Sequence, residues 1–177
     1  MSAPEKPALP TPDPADMQAR LDDVLLRVGR LNYVWSNTES LLIHLIAGLT
    51  GMTQQQSVVV FLSLGGTKGR VDLVERLAKL DSTDNALRDR LLPLMGRFSR
   101  LSASRNRYNH SIWSFAEDGS ISTILMRIAD RRDRIRMGAR EALDDDELRR
   151  IDTVIQDLSE LNREIWLFLQ ETGFPIE

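Results

Sequence analysis

Two long amphipathic stretches frame this chain and leave little room for anything but a helical bundle. Leu21, Val24, Leu25, Val28, Leu31, Trp35, Leu42, Leu45, Ile46 and Leu49 recur at helical spacing, which predicts a helix from about Asp16 to Leu49, ended by Gly51. Near the other end, Leu148, Ile151, Ile155, Leu158, Leu161, Ile165 and Leu169 predict a second long helix to about Thr172, stopped at Gly173 and Pro175. It opens on Asp144-Asp145-Asp146-Glu147, acidic groups at the positive end of the helix dipole. An N-cap explains this run more cheaply than a site for a hard cation.

Shorter helices fill the interval. Ser57 to Leu64 is apolar and closed by Gly65-Gly66, and Arg70 to Leu80 carries Val71, Val74, Leu77, Ala78 and Leu80. The intervening GGTKG lacks the preceding strand and spacing of a phosphate-binding loop, so it reads as an interhelical turn. Asp81 to Asp84 supply a break and the next N-cap, and a fourth helix follows from about Asn85 to Asn109, with Pro93 as a point for a kink. The pattern then changes to period two. Ile112 to Phe115, a turn at Glu117-Asp118-Gly119 and Ser120 to Ile128 predict a small β-hairpin, followed by an irregular or short helical arginine-rich link. The expected fold is therefore all-α, a helical bundle with one small β-hairpin, forming a single domain over residues 16–177. A chain of 177 residues is long enough to bury a core without covalent staples.

Several function classes drop out on composition. The chain has no cysteine, hence no disulfide framework, thiolate zinc site or cysteine nucleophile. Its two histidines are far apart, which makes a transition-metal cluster improbable, and no metal or cofactor is expected. Five prolines in the first fourteen residues make residues 1–15 a disordered leader without the basic and apolar regions of a signal peptide. No apolar run is long enough to span a membrane, so a cytoplasmic location is expected. A net charge of −3 argues against general nucleic-acid binding by the whole surface. The distribution is more telling: Leu91 to Ala116 contains no Asp or Glu but carries Arg97, Arg100, Arg105 and Arg107, candidates for contacting RNA. A second basic run from Arg127 to Arg140 is diluted by Asp130 and Asp133 and reads as a solvated face.

Within the first run lies Arg105-Asn106-Arg107-Tyr108-Asn109-His110. Leu94, Phe98 and Leu101 form the apolar face of the fourth helix, and the helical phase delivers Arg105 to the same face. Ser99, Ser102, Asn106, Asn109 and His110 lie beside it. Arg105 and His110 are roughly 140° apart on a helix. Polar groups on a buried face are costly unless partnered, which makes this face a site or an interface. Glu39 and His44, within and at the margin of the first stripe, read as structural: a helix-to-helix hydrogen bond and a core-edge histidine.

Arg with His and no metal suits cleavage of RNA, whose 2′-hydroxyl is an internal nucleophile. An imidazole titrating near neutrality takes the 2′-proton or protonates the leaving 5′-oxygen, while a guanidinium clamps the phosphate. His110 and Arg105 are the candidates, with Asn106 and Asn109 orienting them and Ser102 a polar helper one turn upstream. Two proton-transfer groups are wanted and one chain offers a single histidine here, so a symmetric dimer is expected. The same residues also suit a module that binds RNA or a nucleotide without cutting it, or a polar cluster that serves dimerisation.

RNRYNH followed by Ser-Ile-Trp resembles the signature of HEPN domains, helical bundles with an Arg, four to six residues and a His, commonly with Asn after the Arg. Arg105, Asn106 and His110 match, with four residues between Arg and His. The helix order and the Trp35…Glu39 pattern extend the resemblance over most of residues 17–172. The resemblance implies a face-to-face homodimer with a composite cleft, metal-independent endoribonuclease action, and a place among toxins or phage-defence effectors with an antitoxin or defence partner. Arg105 and His110 become the catalytic pair and Asn106 a supporting residue. Family toxins paired with a nucleotidyltransferase often carry Tyr two positions after the His. Ile112 stands there instead, which speaks against regulation by modification at that position.

Overall fold

The computed structural model describes residues 13–116, 120–125, 129–131, 134–136, 138 and 140–176. Helix α1 (Pro14–Thr50) begins slightly earlier than its apolar stripe, because Asp13 caps it by accepting from Ala15 N at 2.9 Å and Pro14 occupies the first turn. Gly51, at φ 70°, closes it with an N–H bond to the Ala47 carbonyl. The rest of the expected leader, residues 1–12, and the turn at Glu117-Asp118-Gly119 lie outside the described residues.

Helices α2 (Gln54–Ser63) and α3 (Thr67–Ala78) both start three residues before their expected positions. At α2 the cause is a capping box: Thr53 accepts from Gln56 N while the Gln56 side chain accepts from Thr53 N at 2.9 Å. At α3 only Leu64 to Gly66 form the turn, and Thr67, Lys68 and Gly69 belong to the first helical turn. Helix α4 (Asn85–Asn109) continues unbroken through Pro93. Helix α5 (Asp145–Thr172) is capped by Asp144, which accepts from Glu147 N at 2.9 Å, and ends at Gly173 with φ 65°.

Strands β1 (Ser111–Phe115) and β2 (Ile121–Leu125) pair antiparallel in the register Ser111 to Leu125 through Phe115 to Ile121, as the hairpin reading requires. The arginine-rich link differs from expectation. It contains strands: β3 (Ala129–Arg131) with β4 (Arg134–Arg136), and β5 (Arg140–Ala142) antiparallel to β2. The three-stranded order β1-β2-β5 makes physical sense, since an isolated two-stranded hairpin is marginal in water and β5 gives β2 a second neighbour.

The molecule is thus mostly helical, with a three-stranded sheet and a two-stranded one inserted between α4 and α5. Helix α1 packs most extensively on α5 and also meets α2, α3 and α4. The core contains Leu31, Trp35, Leu42 and Leu45 of α1, Leu91, Met95 and Phe98 of α4, and Ile151, Leu158, Leu161 and Ile165 of α5. At its centre Trp35 and Phe98 stack with ring centroids 4.5 Å apart and planes 9° from parallel. No helix among the described residues is long and apolar enough to cross a membrane. Because Phe98 is wholly buried, Phe98→Ala is expected to destabilise the fold by about 3–5 kcal/mol, measured as a lower urea midpoint at unchanged slope.

Candidate functional site

Helix α4 reaches its last three turns between three neighbours, α1, α3 and α5. Its buried positions Leu91, Met95, Phe98 and Tyr108 define the inner face, while Leu94 and Leu101 are only half-buried at its edges. Arg105 lies seven residues after Phe98, in phase with it, and is half-buried against α1. The guanidinium carbon sits 5.6 Å from the centroid of the Trp35 ring, whose stacking on Phe98 makes a rigid aromatic floor.

Amides form the walls. Arg105 Nε donates to Asn32 Oδ1 at 3.3 Å, and Nη1 donates to Asn106 Oδ1 at 3.1 Å. Asn109 stands between Asn32 and Arg105. With its nitrogen toward Asn32 it donates to Asn32 Oδ1 at 2.7 Å, and Asn32 Nδ2 donates to its oxygen at 3.0 Å. Turned over, the same amide places its oxygen 2.9 Å from both Nε and Nη2 of Arg105 and 2.7 Å from Asn32 Oδ1, a contact that becomes a hydrogen bond only if the Asn32 amide turns with it. Asn32 Nδ2 also donates to the Val28 carbonyl at 3.0 Å, which favours Asn32 presenting its oxygen to Arg105. Among the described residues no carboxylate pairs with Arg105. In either orientation of Asn109, at least two of the five guanidinium N–H groups lack an acceptor among the described residues.

His110 is the C-cap residue of α4, with φ −112° and ψ 22°. Its N–H donates to the Asn106 carbonyl at 3.1 Å, and the Ser111 hydroxyl donates to the Arg107 carbonyl at 2.5 Å. The helix end is therefore closed by backbone and Ser111, and the exposed imidazole forms no hydrogen bond among the described residues. It stands on the turn that joins α4 to β1.

The other expected site residues are spread around α4. Asn106 is exposed and touches Arg105, while half-buried Ser102 shares with it a shallow cleft toward α3, lined also by Thr67, Lys68 and Asp72. Arg97 and Arg107 turn toward α5. Arg97 pairs with Glu164 at 2.6 Å, which holds its guanidinium above the usual arginine range. Arg107 pairs with Glu147 at 3.0 Å and with Glu141 of β5. Arg100 is exposed, with no ion pair among the described residues. So Arg105, Asn106 and Asn109 are brought together, and Arg97 and Arg107 are committed to carboxylates.

Glu39 and His44 are structural. Glu39 accepts from the Thr67 hydroxyl at 2.5 Å and pairs with Arg70 at 2.9 Å, tying α1 to α3. His44 Nδ1 lies 2.9 Å from the Pro175 carbonyl, which requires the proton on that nitrogen. Among the described residues no group of three or more His, Asp or Glu side chains could hold a metal ion.

Three residues outside the expected set shape this end of the bundle. Asn32 supplies a wall of the Arg105 cage, signalled in sequence only by a polar residue at the edge of the first stripe. Tyr108 and Glu147 form a buried pair: Tyr108 Oη donates to Glu147 Oε1 at 2.7 Å, and Arg150 meets the other carboxylate oxygen at 2.7 Å. Glu147, only 3% exposed, thus fastens Arg107 and Tyr108, the residues just before the Asn109–His110 turn. Burial, and then the bond to Glu147, push the Tyr108 phenol well above its ordinary range.

The chain matches no family model, no curated protein and no solved structure.

The Tyr108 phenol stays protonated in the folded chain at pH values where an unfolded tyrosine ionises, near pH 10. Its contribution to stability is therefore complete below that pH and is lost as pH rises through and above it. Tyr108→Phe is expected to cost about 1.5–3 kcal/mol at neutral pH, through loss of a bond to a charged acceptor. The variant is also expected to show a shallower decline than wild type between about pH 9 and pH 11. Urea unfolding across that range measures both effects.

Proposed function

We propose that the protein is a metal-independent endoribonuclease of the HEPN type, acting as a symmetric dimer in which two Arg105/His110 pairs share one cleft. The observation that carries this reading is the charge state of the Arg105 surroundings. Arg97 and Arg107 on the same helix are neutralised by glutamates, whereas Arg105 is held by uncharged amides and an aromatic face. A guanidinium so held meets no opposing carboxylate among the described residues and has spare donors, which is what a phosphate needs.

In this mechanism the RNA 2′-oxygen attacks the adjacent phosphorus and the bond to the 5′-oxygen breaks. One His110 imidazole takes the 2′-proton while the second copy's imidazole gives a proton to the departing 5′-oxygen. Arg105 stabilises the charge that develops on the non-bridging oxygens. The products are a 2′,3′-cyclic phosphate and a 5′-hydroxyl. DNA lacks the nucleophile and is not a substrate. Such an activity fits a cytoplasmic toxin or phage-defence effector held in check by a partner protein.

Purified protein incubated with RNA in EDTA is expected to yield cyclic-phosphate ends. Arg105→Ala and His110→Ala are each expected to lower the rate by about 10²–10⁴-fold while remaining folded by circular dichroism. Equal cleavage by all three proteins removes these residues from the chemistry. Tight, salt-sensitive binding that leaves the RNA intact makes the cleft a binding module instead.

A further inference from the structure

We infer that Asn32 is a positioning residue, whose carboxamide fixes the posture of Arg105 while leaving its charge uncompensated for an anionic phosphate. The inference rests on the reading of Arg105 as the phosphate-binding group.

Helix α1 makes the comparison internally. Asn32 and Glu39 are seven residues apart, two turns along nearly the same face. Each meets one arginine of a neighbouring helix. Glu39 binds Arg70 at 2.9 Å, and both side chains are largely buried, 14% and 18% exposed. Arg70 also bonds the Phe61 carbonyl at 3.1 Å and lies 3.9 Å over the Phe61 ring. It is a closed, neutral, structural pair.

Asn32 meets Arg105 with an oxygen of similar reach but no charge. An aspartate there would have nearly the same volume and would make a stronger, charge-assisted bond. That gain sets itself against the bonds that the amide nitrogen makes to Val28 and Asn109. Two things distinguish Asn. Its nitrogen donates to the Val28 carbonyl at 3.0 Å, which a carboxylate cannot do, and this orients the oxygen toward Arg105. It also orders the guanidinium without cancelling its field. Trp35, one turn further along α1, supports the same group from beneath. One helix thus gives Arg105 both its floor and its wall.

The test uses the full-length protein and inorganic phosphate, followed through the Arg105 Nε–H resonance, assigned by its absence in Arg105→Ala. Phosphate is expected to shift this resonance in wild type. Asn32→Asp is expected to weaken phosphate binding at least tenfold while the protein stays folded by circular dichroism, its charged bond to Arg105 offsetting the lost bonds to Val28 and Asn109. Asn32→Ala is expected to broaden the resonance and weaken binding with it. In the RNA assay Asn32→Asp is expected to lower kcat at least tenfold. Unchanged phosphate affinity in Asn32→Asp overturns the inference, as does a wild-type resonance that ignores phosphate. If phosphate binding responds to Asn32→Asp but wild type leaves RNA uncut, the positioning role stands and the endoribonuclease reading falls. If RNA is cut and Asn32→Asp binds phosphate like wild type, the reading stands and Asn32 is merely structural.

Discussion

Helix α4 meets three neighbours, α1, α3 and α5, and buries one face, Leu91, Met95, Phe98 and Tyr108, among them. The half-buried arginines at its flanks, Arg97, Arg105 and Arg107, need partners, because desolvating a charge without compensation costs several kcal/mol. The chain answers this demand in two chemical ways. Toward α5 it uses carboxylates, with Glu164 on Arg97 and Glu147 on Arg107. Toward α1 it uses amides and an aromatic ring on Arg105. The first solution cancels charge and fastens helices together. The second fastens the side chain and leaves the charge in place.

Much of the helical frame was legible because long stripes at helical spacing have few alternative ways to be buried. The first and last helices fall close to expectation for that reason. Short helices were less legible, since their beginnings are set by caps rather than by apolar spacing. The Thr53–Gln56 capping box starts α2 before its first buried residue, and Gly66 starts α3 inside a segment that reads as a turn. The sheet was only half legible. β1 and β2 alternate visibly, whereas β5 is three residues, Arg-Glu-Ala, with no exposed-to-buried rhythm at all. Its pairing with β2 depends on where α5 begins, a tertiary fact.

For the candidate site, helical phase correctly carried Arg105 onto the inner face, because phase is a local property. It placed Leu94 and Leu101 more centrally than they are. The buried positions are Leu91, Met95, Phe98 and Tyr108, shifted around the helix because α4 packs between neighbours rather than on one. Asn32 was beyond reach, since its bond to Arg105 spans 73 residues and an asparagine at a stripe's edge is otherwise unremarkable. Glu147 was hidden differently. It belongs to an acidic N-terminal turn that the helix dipole already explains, so nothing in its spacing betrays that it is buried beneath Tyr108 and Arg107.

The position of His110 follows from these restraints. Glu147 holds Arg107 and Tyr108 to α5, the Asn32–Asn109 contact holds the next turn to α1, and the helix ends one residue later with its imidazole in solvent. Anchored on two sides, the end of α4 presents the exposed histidine at its C-cap. A cleavage that moves two protons needs a second such group, and His44 cannot supply it. It lies twelve residues along α1 from Asn32, about 18 Å at the helical rise, with its ring bound to the Pro175 carbonyl. In the proposed reaction the second imidazole would come from another copy of the chain, and His110, not His44, is the exposed one.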